Sequence, residues 1–192
     1  MRPKNFKTVM KNKLIALLGI LFLGVVGYVI YSDMGKPSSP SETVNYNDDG
    51  LEISITYCRP SKRGRLIFGK EEEKALVPYG KYWRTGANEA TEIEFNQDVI
   101  FGGKELKKGR YVIYTIPNNP TWKVVLNSEL GRWGYSPADR NLDVLEVEVN
   151  SEENPEEVEM FTFKIQKMGD KNAQILILWD KTKVAIPIEV KS

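Results

Sequence analysis

The spacing of apolar and polar positions divides the chain into two unlike parts. From Leu14 to Tyr31 (LIALLGILFLGVVGYVIY) 18 consecutive residues carry no charge and are all apolar, glycine or tyrosine. As a helix this run rises about 27 Å, close to the roughly 30 Å hydrocarbon core of a bilayer. It is apolar on every side, whereas a core helix is amphipathic. Beyond it the period changes to two. Leu51, Ile53, Ile55 and Tyr57 alternate with Glu52, Ser54 and Thr56, the pattern of a half-buried strand. The same reading predicts strands over Thr91–Phe95, Val99–Phe101, Lys104–Leu106, Arg110–Ile116, Trp122–Leu126, Leu142–Val149, Glu159–Gln166, Ala173–Trp179 and Lys183–Val190. Gly102-Gly103 suits a tight hairpin turn, and Asn118-Asn119-Pro120, Gly169–Asn172 and Asp180–Thr182 supply further turns. The acidic stretch Ser151–Glu159 is expected to be a solvated loop, and Pro187 places the last strand at a sheet edge. The predicted fold is all-β: a single antiparallel β-sandwich or jelly-roll-like domain preceded by one N-terminal transmembrane helix.

Charge sharpens this division. Arg2, Lys4, Lys7, Lys11 and Lys13 precede the apolar run with no acidic residue among them, while residues 41–192 hold 21 basic and 25 acidic side chains. A basic tail at 1–13 and a span at 14–31 predict the N-terminus in the cytoplasm, by the positive-inside rule. The span would rest in membrane lipid, as a single pass through the inner membrane. A Pro/Ser linker at 32–41 then leads to an exported domain at 42–192, in the periplasm or outside. The run leaves through Tyr28, Tyr31 and Asp33 without an Ala-x-Ala pattern, so an uncleaved signal anchor is expected. A mildly acidic domain has no charge reason to seek nucleic acid.

Composition removes the commonest chemistries. The chain has no histidine and one cysteine. It therefore has no Ser-His or Cys-His nucleophile pair, no imidazole-bound zinc and no intrachain disulfide. No metal and no cofactor is expected. Chemistry-bearing side chains crowd instead into Tyr57–Thr91. Tyr57, Arg59, Arg63, Arg65, Trp83, Arg84, Asn88 and Glu89 are the candidate site residues. Forked guanidinium donors suit an anionic group, and aromatic rings stack on sugars or guanidinium groups. The same arginines could equally serve as bridges of the fold, Arg59 pairing with a carboxylate such as Glu89. Carboxylate catalysis needs no histidine; Glu89 is its candidate acid, with Glu92 or Asp139 as partner. Trp133-Gly134-Tyr135 is either one wall of a sugar site or a packed turn.

Three blocks carry a resemblance: Tyr57–Arg65 (YCRPSKRGR), Leu76–Thr91 (LVPYGKYWRTGANEAT) and Gly109–Pro117 (GRYVIYTIP). They resemble the signature blocks of the domain-of-unknown-function family numbered 2911, which occurs mainly in Bacteroidetes and related bacteria. The resemblance covers roughly Glu42 to Val190 and implies an exported β-rich domain, without implying an activity. Its members resemble one another in having serine where this chain has Cys58, which speaks against a cysteine nucleophile. The expected function is a membrane-anchored envelope protein that binds a ligand, anionic or glycan, or an envelope partner protein. The alternative is a hydrolase of cell-envelope carbohydrate.

Overall fold

The computed structural model describes residues 6–34 and 39–191. It divides into two compact units, Met1–Pro37 and Ser38–Ser192. The first contains helix α1 (Phe6–Met34), within which the continuous stretch of described side chains runs from Ile15 to Tyr28. No helix among the described residues is long and apolar enough to cross a membrane. Most of the expected tail 1–13 and both ends of the expected span 14–31 have side chains outside the described residues.

The second unit is all-β. Its strands are β1 (Ser41–Asp48), β2 (Leu51–Cys58), β3 (Phe68–Gly69), β4 (Val77–Pro78), β5 (Thr91–Phe95), β6 (Val99–Phe101), β7 (Lys104–Leu106), β8 (Gly109–Ile116), β9 (Thr121–Asn127), β10 (Asp143–Gly169) and β11 (Asn172–Val190). Nine of them form one antiparallel sheet in the order β1-β2-β5-β8-β9-β10-β11-β6-β7, and β3 and β4 make a small parallel pair. Within it β1-β2, β8-β9-β10-β11 and β6-β7 are sequence neighbours, while β2-β5, β5-β8 and β11-β6 join strands distant in the chain.

The two long strands let a single sheet build two facing layers. The first part of β10 pairs with β9 from Asp143 to Asn150; the rest pairs with β11 from Ser151 to Gly169. The sheet folds back so that Tyr57 of β2 meets Phe161 and Phe163 of β10 edge-on, with ring centroids 5.6 and 4.9 Å apart. Trp83, Trp122, Trp179 and Phe68 fill the same interior, Trp83 stacking on Trp179 at 5.8 Å. Every buried core residue among those described lies in this unit, which makes it able to fold by itself.

Three expectations are corrected, and one strand is added. Ser151–Glu159 is not a loop but extended strand inside β10, with register shifts around Val158. Most of its side chains are exposed, yet Ser151, Glu152, Glu153 and Val158 find partners in β11, and a ladder does not require apolar side chains. Asp180–Thr182 is not a turn; Asp180 takes a left-handed conformation (φ 53) within the continuous strand β11. The last strand is not an edge, because β11 pairs with β6 as well as with β10. Pro187 sits just beyond the last residue pair of the β6 ladder, its carbonyl accepting from Gly102 N–H. Strand β1 was not predicted. It forms a hairpin with β2 through Asp49-Gly50, both left-handed, the two-residue turn that an Asp-Gly pair favours.

Past β2 the chain crosses to the second layer and runs beside β10. Phe161 N–H donates to Pro60 O, and Lys62 N–H donates to Glu159 O. Segment 59–62 thereby covers the side of β10 that faces away from β11, and it delivers the arginine-rich loop to the end of the domain.

Candidate functional site

Three pieces of chain meet at that end: the turn after segment 59–62, the start of β4, and the loop leading from Trp83 to β5. The first is held by Lys62, whose ammonium lies 2.7 Å from Asp180 and 2.8 Å from Glu157. Those two hydrogen bonds push its pKa up to about 12. The chain then reverses through left-handed Arg63 and Gly64. Arg65 folds back on its own loop, Nε donating to Lys62 O at 3.0 Å and Nη2 to Ser61 O at 2.6 Å.

The second loop is pinned from inside. Trp83 and Thr115 exchange two backbone hydrogen bonds, and buried Thr85 donates its hydroxyl hydrogen bond to Trp83 O. Thr91 hydroxyl donates to Thr85 O at 2.8 Å, and Trp83 Nε1 donates to Gly86 O at 3.2 Å. A Cβ at Gly86 would lie 3.0 Å from Cys58 O, so only glycine lets this loop lie against β2.

Between these pieces is a cavity of about 280 Å³. Pro60, Leu76, Val77, Trp83 and Trp179 give it an apolar floor, and Arg63, Arg65 and Arg84 stand around it. Ser39 and Ser61 add hydroxyls. None of the described lining residues carries a carboxylate or a carboxamide. Arg84 uses Nη1 for Asn88 O at 3.3 Å, and its stem lies against Gly134, where a Cβ would be 2.7 Å from Arg84 Cδ. Among the described residues no ion pair engages Arg63, Arg65 or Arg84. The guanidinium hydrogens not spent on backbone carbonyls can therefore meet an anion.

Of the candidates named from the sequence, Arg63, Arg65, Trp83 and Arg84 line this cavity and the other four do not. Tyr57 is buried in the core, its hydroxyl accepting from Phe163 N–H at 3.0 Å; burial raises its pKa. Arg59 is a bridge of the fold. Its guanidinium donates to Phe161 O at 3.1 Å and Thr162 Oγ1 at 2.9 Å, and it pairs with Glu42 rather than Glu89. Asn88 is left-handed (φ 56), and its side-chain amide donates to Ser39 O.

Glu89 lies exposed on the loop and accepts a 3.3 Å hydrogen bond from the thiol of buried Cys58. Burial, then this contact, raises the Cys58 pKa, which speaks against a thiolate nucleophile. The partners suggested for Glu89 are committed elsewhere: Glu92 pairs with Arg110 at 2.6 Å, and Asp139 accepts from Asn141 N–H. Trp133 and Tyr135 are exposed and line no wall of the cavity. No group of three potential metal ligands occurs among the described residues. The sequence reading missed Leu76, Val77 and Trp179. The first two lie within the Leu76–Thr91 block, but Trp179 alternates like any core strand residue and carries no local signal.

Fold and cavity together define a class: an all-β domain, one antiparallel sheet folded over an aromatic core, with a basic cavity among its end loops. Residues 39–188 match the family described as protein of unknown function (DUF2911), and the chain belongs to that family. A search of curated proteins and of solved structures finds no match.

Proposed function

We propose that the domain binds an anionic ligand in the cavity bounded by Arg63, Arg65 and Arg84, and that the Leu14–Tyr31 run anchors it at the cytoplasmic membrane with the domain on the outer side. One observation carries the binding reading: three arginines line a single cavity whose lining offers them no acidic partner. Unlike the salt bridges that spend Arg59 and Lys62 on the fold, these charges remain available to a solute. The hydrolase alternative needs Glu89 and a second carboxylate about 5–10 Å apart across a cleft. Glu89 lies outside the cavity, so geometry favours binding over catalysis. The anchor rests on sequence: 18 uncharged residues behind a basic tail.

Binding is tested by melting the Ser38–Ser192 fragment in millimolar phosphate, sulfate and organic carboxylates at constant ionic strength. Stabilisation by at least one anion, lost in Arg63→Ala and Arg84→Ala, is the expected result. No anion-specific shift overturns the reading. The anchor is tested by fusing alkaline phosphatase, active only outside the cytoplasm, after Ser192. An inactive fusion that reaches full length would reverse the orientation.

A further inference from the structure

We infer that the ligand is a small amphiphilic anion, with a flat apolar body and one carboxylate, sulfonate or phosphate head, rather than a sugar or an inorganic ion. The inference rests on the anion-binding reading above and specifies its ligand. The cavity is chemically two-sided. The side chains of its floor, Pro60, Leu76, Val77, Trp83 and Trp179, offer no free polar group, because the indole N–H of Trp83 is spent on Gly86 O and that of Trp179 on Glu159 O. The three arginines of the lining come from two loops, Arg63 and Arg65 from one and Arg84 from the other.

A sugar ring presents hydroxyls around its whole edge and calls for acceptors as well as donors. This lining has no carboxylate and no carboxamide, its guanidinium groups only donate, and the hydroxyls of Ser39 and Ser61 are its side-chain acceptors among the described residues, few for a ring that carries hydroxyls on every side. A bare inorganic anion would use the arginines and leave the apolar floor wet. An amphiphilic anion satisfies both sides: its head takes the guanidinium forks and its body removes the floor from water. At about 280 Å³ the cavity lies at the small end of ligand sites, which commonly span roughly 300–1,000 Å³, so the body is one or two rings rather than a lipid chain.

The test is isothermal calorimetry on the Ser38–Ser192 fragment with three probes: 2-naphthoate, its uncharged counterpart 2-naphthalenemethanol, and glucuronate, which has a carboxylate on a sugar body. Naphthoate is expected to bind at least tenfold more tightly than either of the others. Arg63→Ala and Arg84→Ala are each expected to weaken it about tenfold, with unchanged far-ultraviolet circular dichroism as the folding control. Glucuronate binding as tightly as naphthoate would overturn the amphiphile and leave the anion reading standing. Equal binding of the uncharged alcohol, or naphthoate binding indifferent to both arginine substitutions, would overturn both. If no probe binds while phosphate or sulfate stabilises the fragment through the same arginines, the amphiphile alone is overturned.

Discussion

Arg59→Ala separates the arginines that build the fold from those that face the cavity. The Arg59 side chain is 25 % exposed and makes three contacts: with the carbonyl of Phe161, the hydroxyl of Thr162 and the carboxylate of Glu42. Phe161 is itself fully buried, so removing the guanidinium strips a donor from a carbonyl that water reaches poorly. Hydrogen bonds involving a charged group contribute about 1.5–3 kcal/mol, and an ion pair with Glu42, whose side chain is 37 % exposed, adds less than about 1 kcal/mol. Partial exposure lets water replace some of this, which leaves an expected loss of about 2–3 kcal/mol. At roughly 2–4 °C per kcal/mol for a domain of this size, the melting temperature should fall by about 4–12 °C. Arg63→Ala removes an exposed side chain with no hydrogen-bond or ion-pair partner among the described residues and should cost less than about 0.5 kcal/mol. Urea unfolding of the Ser38–Ser192 fragment, followed by the fluorescence of its tryptophans, measures both. A stable Arg59→Ala variant that no longer bound ligand would refute this division of labour, as would an Arg63→Ala variant as unstable as Arg59→Ala.

Three further outcomes are expected. Gly102→Ala forces an alanine into a left-handed position (φ 55) and puts its Cβ 2.9 Å from Val147 Cγ2; a loss of about 2–4 kcal/mol in urea unfolding is expected, and a neutral result would mean that the β6–β7 hairpin is not built as described. Cys58, buried and with its pKa raised by burial and by Glu89, should react with iodoacetamide at pH 8 many times more slowly in the native domain than in urea; equal rates would contradict its burial. Tyr57, Tyr82 and Tyr114 all have raised pKa values, burial being the first cause in each, so the stability they contribute is fully present below their ordinary pKa of 10.0 and is lost as pH rises through the native values. With no histidine in the chain, unfolding free energy should stay level between about pH 5.5 and 8.5 and decline above about pH 10; a step near pH 6.5 would contradict this.

Period-two alternation was enough to find β2 and β5, each of which turns one apolar face to the core, while β8 and β9, buried on both faces, showed themselves by their β-branched and aromatic runs. It failed where a strand's partner, rather than its own side chains, keeps it extended. Ser151–Glu159 has no apolar face, and it is strand because β11 runs alongside. Strand β1 was missed for the same reason, its face toward the core being half-buried Glu42, Val44, Tyr46 and Asp48, although Asp49-Gly50 announced the turn. The site followed a similar limit. Local spacing assembled the right loops, but it could not say which arginine the fold would spend, because that depends on β10, 102 residues away from Arg59. Arg59 precedes Pro60, which keeps it extended, and an extended residue continuing out of β2 falls in line with the bare side of β10. Arg63 follows only four residues later, but it takes a left-handed conformation and opens a turn with Gly64, so it leaves that line and its side chain reaches the cavity. What separates a structural arginine from a binding one here is thus the point at which the backbone stops running beside β10. Moving that point should convert one into the other: replacing Gly64 (φ 68) by valine, which disfavours the turn, should lower ligand affinity by disturbing Arg63 and Arg65, while the Arg59 bridge and most of the stability persist. If affinity survived unchanged, the turn would not be what presents these arginines to the ligand.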